Sequence, residues 1–486
     1  MVCGKRCGIA TGVVGVFFLA AGIVFLFVAK TLVNNQISNQ ITLKNNATFN
    51  NWVTNPTPIY FQIWVWDLQN PLEVKQGLRP ALAQKGPYTY RENRHKINVT
   101  FHDNNGTVTY REDKYYIFDR DLSVGPETDT FTTVNIPLMV IANIVKREFS
   151  WLQKLVDSLL DWGETDVFMT LSVKDLVWGY DEPLINKTIG VLKELGFPLK
   201  IDDHFGIFVG TNNSDDGWYN IKTGAGDPSS FGLIKNWNWK NVVPYWTTPS
   251  CNMVNGTDGT IFHPFVKKSD VIYVFSTDLC RSIYFTFYSF ETQHGIDVLR
   301  FTTPVSVFAG YMQNPANLGF CLPYTDCVNR SGLLLVQNCK FGAPLVFSQP
   351  HFLNADPGIM NAVIGMRPDP DEHGTFIDIE PNTGAALYAA KRLQINIQLE
   401  NVDNIEKTQK LPRVVLPVLW LNESSVVTKE LADEFKSQLQ TPVLEMHVGI
   451  YVAIGVGALM IVSVVLVAII RKRRQTQIAY VTVNDN

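Results

Sequence analysis

The 486 residues contain no low-complexity tract and no repeat at a period of about 20–50 residues, which excludes solenoids and propellers. Charge is scarce: 18% of residues are Asp, Glu, Lys or Arg, against roughly 25% in an ordinary soluble domain. The shortage is concentrated in two places. Gly8–Ala29 and Val448–Ile470 hold no Asp, Glu, Lys, Arg or His at all. At about 1.5 Å per residue, each run as a helix would cross the roughly 30 Å hydrocarbon core of a bilayer. A helix also satisfies its own backbone hydrogen bonds there. Catalytic patterns are missing too. There is no Gly-x-Ser-x-Gly elbow, His-Glu-x-x-His pair, phosphate loop or Gly-x-Gly-x-x-Gly fingerprint. No enzyme, cofactor or metal is therefore expected. The net charge of −4, with both chain ends basic, leaves the middle acidic and excludes a globally basic nucleic-acid surface.

Two apolar runs at opposite ends define the organisation. The first is longer than a signal-peptide core, and Ala29-Lys30-Thr31 is a poor small-x-small cleavage site, so it is expected to stay as an anchor. Lys5 and Arg6 precede it, and Arg471, Lys472, Arg473 and Arg474 follow the second run. Basic flanks mark the cytosolic side. The expected layout is a cytosolic tail 1–7, a membrane helix 8–29, an ectodomain 30–447, a second membrane helix 448–470 and a cytosolic tail 471–486. Asn-x-Ser/Thr sequons stand at Asn46, Asn98, Asn105, Asn186, Asn212, Asn255, Asn329 and Asn422, all between the runs. Five of the seven cysteines cluster between Cys251 and Cys339, as local disulfides of an oxidising compartment would.

Within the ectodomain, Thr57–Trp66 alternates Ile59, Phe61, Ile63 and Val65 and reads as a strand. So do Tyr115–Phe118, Val271–Phe275, Ser282–Phe290, Leu333–Val336 and Leu393–Leu399. A helical insert interrupts this β-rich body. From Leu138 to Trp162, Ile141, Val145, Phe149, Leu152, Val156 and Leu159 recur at helical spacing. Ser172-x-x-Asp175 opens a second helix as a capping box, and Thr188–Leu195 forms a third, ended by Gly196. The carboxylates of Asp369, Asp371 and Glu372 crowd His373, and the Pro-rich context reads as a solvated turn. His263, His294 and His351 read as structural.

Short signals complete the ends. Tyr480-Val-Thr-Val483 has the form of a tyrosine-based adaptor signal. Cys3 and Cys7 beside a membrane span suit S-acylation, while the absence of a Met-Gly start excludes myristoylation. Gly8-x-x-x-Gly12 and Gly449-x-x-x-Ala453-x-x-x-Gly457 would permit close helix packing and leave room for a homo-oligomer. The purely apolar spans argue against a channel, whose pore needs polar groups.

A string of motifs then becomes specific. It comprises Gly86-Pro-Tyr-Thr-Tyr-Arg91, Leu176-Val-Trp-Gly-Tyr180, Cys251-Asn-Met-Val-Asn-Gly-Thr-Asp-Gly259 and Asp278-Leu-Cys-Arg-Ser-Ile-Tyr284. Pro350-His-Phe352, Ala390-Lys-Arg-Leu-Gln-Ile-Asn-Ile397 and Pro417-Val-Leu-Trp-Leu-Asn-Glu423 follow. In this order, with two anchors around them, they resemble the class B scavenger receptor family of the fatty-acid translocase and the lysosomal integral membrane protein, and the latter branch more. The resemblance implies an α+β fold: a large antiparallel β-barrel-like ectodomain with a helical bundle at its apex, about 138–200, held by the two membrane helices. It implies a receptor that binds lipids or lipoproteins. Fatty acid, sterol or phospholipid would pass through an apolar tunnel toward the membrane, with no covalent catalysis.

The alternative it implies is a trafficking receptor delivering a luminal protein such as a hydrolase to endolysosomes. Either role places the chain in endosomal, lysosomal and plasma membranes. Phe149, Leu152, Val156 and Leu159 would belong to the ligand-binding apex. The family pattern also suggests disulfides Cys280–Cys339 and Cys321–Cys327, with Cys251 left over because the extra cysteine that fatty-acid translocase-like members have near Gly319 is absent. Two departures narrow the expectation. The apex segment Asp161–Asp166 is acidic, which disfavours polyanionic ligands, and Leu138–Trp162 has no histidine to act as an acid switch.

Overall fold

A computed structural model describes residues 2–44, 47–146, 148–163, 165–196, 204–321, 330–340 and 343–484. The chain divides into two compact units, Ile41–Val427 and a terminal unit of Met1–Gln40 with Thr428–Asn486.

The terminal unit is built on two long helices, α1 (Val2–Ile41) and α6 (Thr441–Asn484). The segments long and apolar enough to cross a membrane are Cys7–Ile41 and Lys429–Thr476. Glycine lets the two helices touch backbone to backbone. A Cβ on Gly457 would lie 2.7 Å from the Leu19 nitrogen and 2.8 Å from the Gly15 oxygen, and one on Gly22 would lie 2.5 Å from Ile454 Cγ1. Of the small residues singled out in the sequence, Gly457 is at the crossing, whereas Gly8 and Gly449 have no neighbour within 4 Å. Gly457→Leu should therefore force the pair apart. A disulfide introduced by Gly12→Cys with Val464→Cys, whose side chains would approach closely, should form readily. Its yield should fall several-fold once Gly457→Leu is added; an unchanged yield would refute the crossing.

The larger unit is organised by one antiparallel sheet. Its main path uses eleven strands: β1 (Ile59–Leu68), β2 (Leu82–His102), β3 (Thr107–Asp119), β4 (Tyr219–Lys222), β5 (Ile234–Trp237), β6 (Ile272–Ser276), β7 (Arg281–Gln293), β8 (Ile296–Thr302), β9 (Phe376–Ile379), β10 (Ala386–Leu399) and β11 (Val414–Val426). The order is β5-β4-β3-β2-β1-β11-β10-β9-β8-β7-β6. The first strand therefore pairs with the last, at the middle of the sheet. Ile59 is opposite Ser425, Ile63 opposite Leu421 and Trp64 opposite Trp420, whose indoles stack at 3.8 Å. Alternation of Phe61, Ile63 and Val65, all buried, reflects one covered face.

The expected barrel does not close by strand pairing. Edge strands β5 and β6 are joined instead by a two-residue staple. Gly256 accepts a hydrogen bond from the Ile234 nitrogen of β5 (2.8 Å). Thr257 donates to Tyr273 (3.1 Å) and accepts from Phe275 (2.9 Å) of β6. The staple satisfies edge groups that would otherwise be open to pairing.

A helical cluster accompanies the sheet: α2 (Ile136–Val145), α3 (Ser150–Trp162), α4 (Val173–Trp178) and α5 (Pro183–Glu194). The single helix expected over Leu138–Trp162 is thus two. The break has a local cause. The buried Gln153 amide donates to the carbonyls of Val145 (3.1 Å), Lys146 (3.0 Å) and Glu148 (3.3 Å), capping the end of α2 that a continuous helix would have used. Its oxygen accepts from Asn404 (2.7 Å), tying the break to the body. Asn135 caps α2 through its side chain, and Ser172 caps α4 by accepting from the Asp175 nitrogen.

Candidate functional site

Two surfaces carry the chemistry of the larger unit. The first is the helical cluster. Leu152 and Val156 are 1% and 0% exposed and pack inside it, so they support the apex rather than present it. Leu159 is half-buried. Phe149 is 74% exposed at the break, because the chain leaves helical periodicity just there. Trp151, which periodicity did not single out, is 55% exposed in the first turn of α3. Two neighbouring bare aromatics form an apolar tip. The acidic residues nearby are largely spoken for: Asp166 pairs with Lys75 (2.6 Å) and Asp161 with Lys407 (3.2 Å). Asp157, Asp161 and Glu406 converge within 4.8 Å, but Lys407 and the bond from the Glu406 nitrogen to Asp157 (2.8 Å) account for them as a helix-to-loop fastening.

The second surface lies on the sheet. On β2 and β3, Glu92, Arg94 and Lys96 face Tyr116, Lys114 and Glu112 in register. Lys391 of β10 is opposite Glu423 of β11. Lys96 donates to Glu112 (2.7 Å), Arg94 to Glu92 (2.7 Å) and also to Glu423. Lys391 donates to Asp278 (2.6 Å) and to Glu423 (2.9 Å), and Lys114 pairs with Asp216. The result is an ionic band across the sheet, buried at Glu92, Lys96 and Glu112 and partly open at Lys391 and Asp278.

Its electrostatics follow from burial against pairing. Burial works against ionised Glu112 and Glu423, but Lys96 and Arg94 hold the first at about 2, and Lys391 and Arg94 hold the second at about 2. Lys391 holds Asp278 well below the usual carboxylate range. Glu92 goes the other way. Burial raises it, and its Oε2 has no hydrogen-bond partner among the described residues. Along β1, β10 and β11, Ile63, Val65, Leu393, Ile395, Leu419 and Leu421 are apolar and buried. One section of the sheet is therefore oily and the next ionic.

A third group lies beside Trp66 and Trp420. His351 and His373 stack with ring centroids 4.2 Å apart, and both are buried. The Arg367 nitrogen donates to His351 Nδ1 (3.0 Å), so the ring proton sits on Nε2, which donates to Gln84 (2.7 Å). Asp371 and Glu372 are exposed, so the carboxylates beside His373 do not converge with it. Burial, then His373 and Arg367, push His351 down to about 3. A histidine depressed when folded loses stability as pH falls below its unfolded value near 6.5. Between pH 7 and 5 this one ring should cost about 1–2 kcal/mol after allowance for solvent screening. In His351→Gln that part of the acid sensitivity should vanish. Thermal unfolding of both proteins at the two pH values tests this; parallel losses would refute it.

The cysteines are partly placed. Cys280 and Cys339 form a disulfide. Cys321 is disulfide-bonded, and Cys327, assigned to it by resemblance, lies outside the described residues. Cys251 is a buried free thiol, and a Cβ on Gly319 would lie 2.6 Å from its sulfur. Asn98, Asn105 and Asn212 are exposed, while Asn186 and Asn255 are half-buried. Asn422 sits mid-sheet, and its Nδ2, the atom a glycan would occupy, donates to Gln62 (3.1 Å). Asn46 and Asn329 lie outside the described residues, as do the side chains of Cys3, Tyr480 and Val483; Cys7 is exposed.

The sequence pattern of the CD36 family matches residues 13–468, from one terminal helix to the other. The chain belongs to the CD36 family. It is 36% identical over 458 residues to lysosome membrane protein 2 of Mus musculus, covering 93% of each chain. To the Homo sapiens protein of that name it is 37% identical over 458 residues, again covering 93% of each. To scavenger receptor class B member 1 of Rattus norvegicus it is 35% identical over 452 residues, covering 93% of this chain and 87% of that one. Membership of the CD36 family supports a receptor role.

Proposed function

We propose that the chain is a two-pass receptor that takes lipid, as fatty acid, sterol or phospholipid, from a carrier such as a lipoprotein and passes it along an apolar path toward the membrane. The observation that carries this reading is CD36 family membership across one body flanked by two membrane-length apolar helices. The bare Phe149–Trp151 tip suits contact with a lipid surface, since aromatics favour the interface between oil and water. The oily section of the sheet suits an alkyl chain, and the ionic band beyond it sets where such a path must turn or end. Basic Arg471–Arg474 support cytosolic termini, and Tyr480-x-x-Val483 supports cycling between the surface and endolysosomes. Exposed Asn98, Asn105 and Asn212 are the sequons best placed for glycans.

The test is lipid mass spectrometry on the purified full chain in detergent, beside a mock preparation, with uptake measured for Phe149→Ser/Trp151→Ser. Stoichiometric co-purified lipid, with uptake lost in the double variant, is expected. A folded, lipid-free chain would overturn transport and favour delivery of a luminal protein to lysosomes.

A further inference from the structure

Every cation of the ionic band has an acid. Arg300 elsewhere on the sheet grips Asp378 with two nitrogens, at 2.7 and 2.8 Å. Arg281 in β7 differs. It is 4% exposed, and among the described residues it contacts no carboxylate. Among the described residues its one hydrogen bond is a long one, Nε to the Ser282 oxygen at 3.4 Å. The guanidinium lies flat over Phe320, 3.5 Å from the ring centroid. Burial draws its pKa down to about 9, opposed only by the Cys251 thiol and the Tyr284 phenol. Both are already engaged: Cys251 donates to the Ala316 carbonyl (3.4 Å), and Tyr284 bonds Ser306 (2.7 Å).

A guanidinium carries five N–H donors. Among the described residues the other four have no acceptor. An aromatic face offsets part of a buried cation's cost, but a cation this enclosed calls for a counter-charge. No acceptor with negative charge reaches it from the described residues.

We propose that Arg281 holds a small monovalent anionic group against Phe320, either a halide from solution or the carboxylate head of a fatty acid. The carboxylate version rests on the lipid-transport reading; the halide version stands without it.

The test uses the full chain in detergent and follows thermal unfolding at constant ionic strength. Chloride or bromide is exchanged for gluconate in one arm, and dodecanoate below its micellar concentration is added in the other. Arg281→Met is measured in parallel. The expected result is a saturable rise in Tm of several degrees in one arm, absent in Arg281→Met. That variant, relieved of an unpaired charge, should match or exceed the wild-type Tm in gluconate. No rise in either arm, or the same rise in the variant, overturns the proposal. A dodecanoate effect that survives Arg281→Met would leave lipid binding intact and place it elsewhere. Should Arg281→Met fail to fold, Arg281→Lys, which keeps one charge but loses the fork, should weaken the anion response in the folded protein; an undiminished response would also overturn the site.

Discussion

Replacing Glu423 with alanine should destabilise the protein by about 3–5 kcal/mol, the range for breaking a buried ion pair from one side. Glu423 is shared: Arg94 grips one carboxylate oxygen, and Lys391 donates to the other at 2.9 Å. Removing it leaves two largely enclosed cations, Arg94 on β2 and Lys391 on β10, with Glu92 and Asp278 as their remaining close acids. Arg94 and Lys391 cannot move far to compensate, because β2 and β10 hold them in register with their neighbours. Glu423→Gln keeps the volume and one acceptor and should cost less than the alanine variant. The pH dependence has a definite sign. Glu423 is held at about 2, below its unfolded value, so its contribution is present above pH ~4.5 and fades as pH falls toward 2. Glu423→Ala should flatten the acid limb of the stability curve in that window. Chemical denaturation at pH 7 and 4 measures both effects, and a loss under about 1 kcal/mol at pH 7 would place the pair in the class of surface bridges.

Gly256→Ala should be nearly as damaging. Gly256 has φ +85°, a conformation alanine adopts only at a cost of roughly 1–2 kcal/mol. Its Cβ would also fall within the carbonyl oxygen of Tyr273, a backbone atom that cannot swing aside. The staple would have to leave β6, breaking the Thr257–Tyr273 and Phe275–Thr257 bonds and opening both sheet edges at once. A loss of at least about 3 kcal/mol is expected, with new proteolytic cleavage near residues 255–257. Gly358→Ala is the matched control. It has no neighbour within 4 Å and no positive φ, so it should be neutral. A Gly256→Ala protein melting with the wild type would show that the staple is dispensable.

What could be read from the amino acids alone was mostly local. The apolar runs, the alternation of Phe61, Ile63 and Val65 and the Ser172 cap each depend on neighbours a few residues apart. The break between α2 and α3 was hidden because Gln153 looks like any polar residue on a helix, and its role depends on carbonyls five to eight positions earlier. Glu92, Arg94 and Lys96 alternate as a solvent-facing strand would. Arg94 finds its acid Glu423 on β11, more than three hundred residues later, and no local pattern carries that information. Phe149 shows the reverse error: it keeps helical period yet stands in solvent, because the helix stops just before it. Trp151 had no periodic signal, and its exposure follows from the same break.

The pairing of β1 with β11 has a consequence for biosynthesis. Ile59 cannot meet Ser425 until nearly the whole body has been translated. At about 5–20 residues per second, the first strand waits on the order of 20–70 s for its partner. During that interval Phe61, Ile63 and Val65 are an unpaired apolar strand, a segment liable to aggregate. β2 and β3 can hairpin over it early, since β2 pairs with both β1 and β3. A chaperone that shields strand edges should therefore engage nascent chains that end before residue 414 and release those that extend past 426.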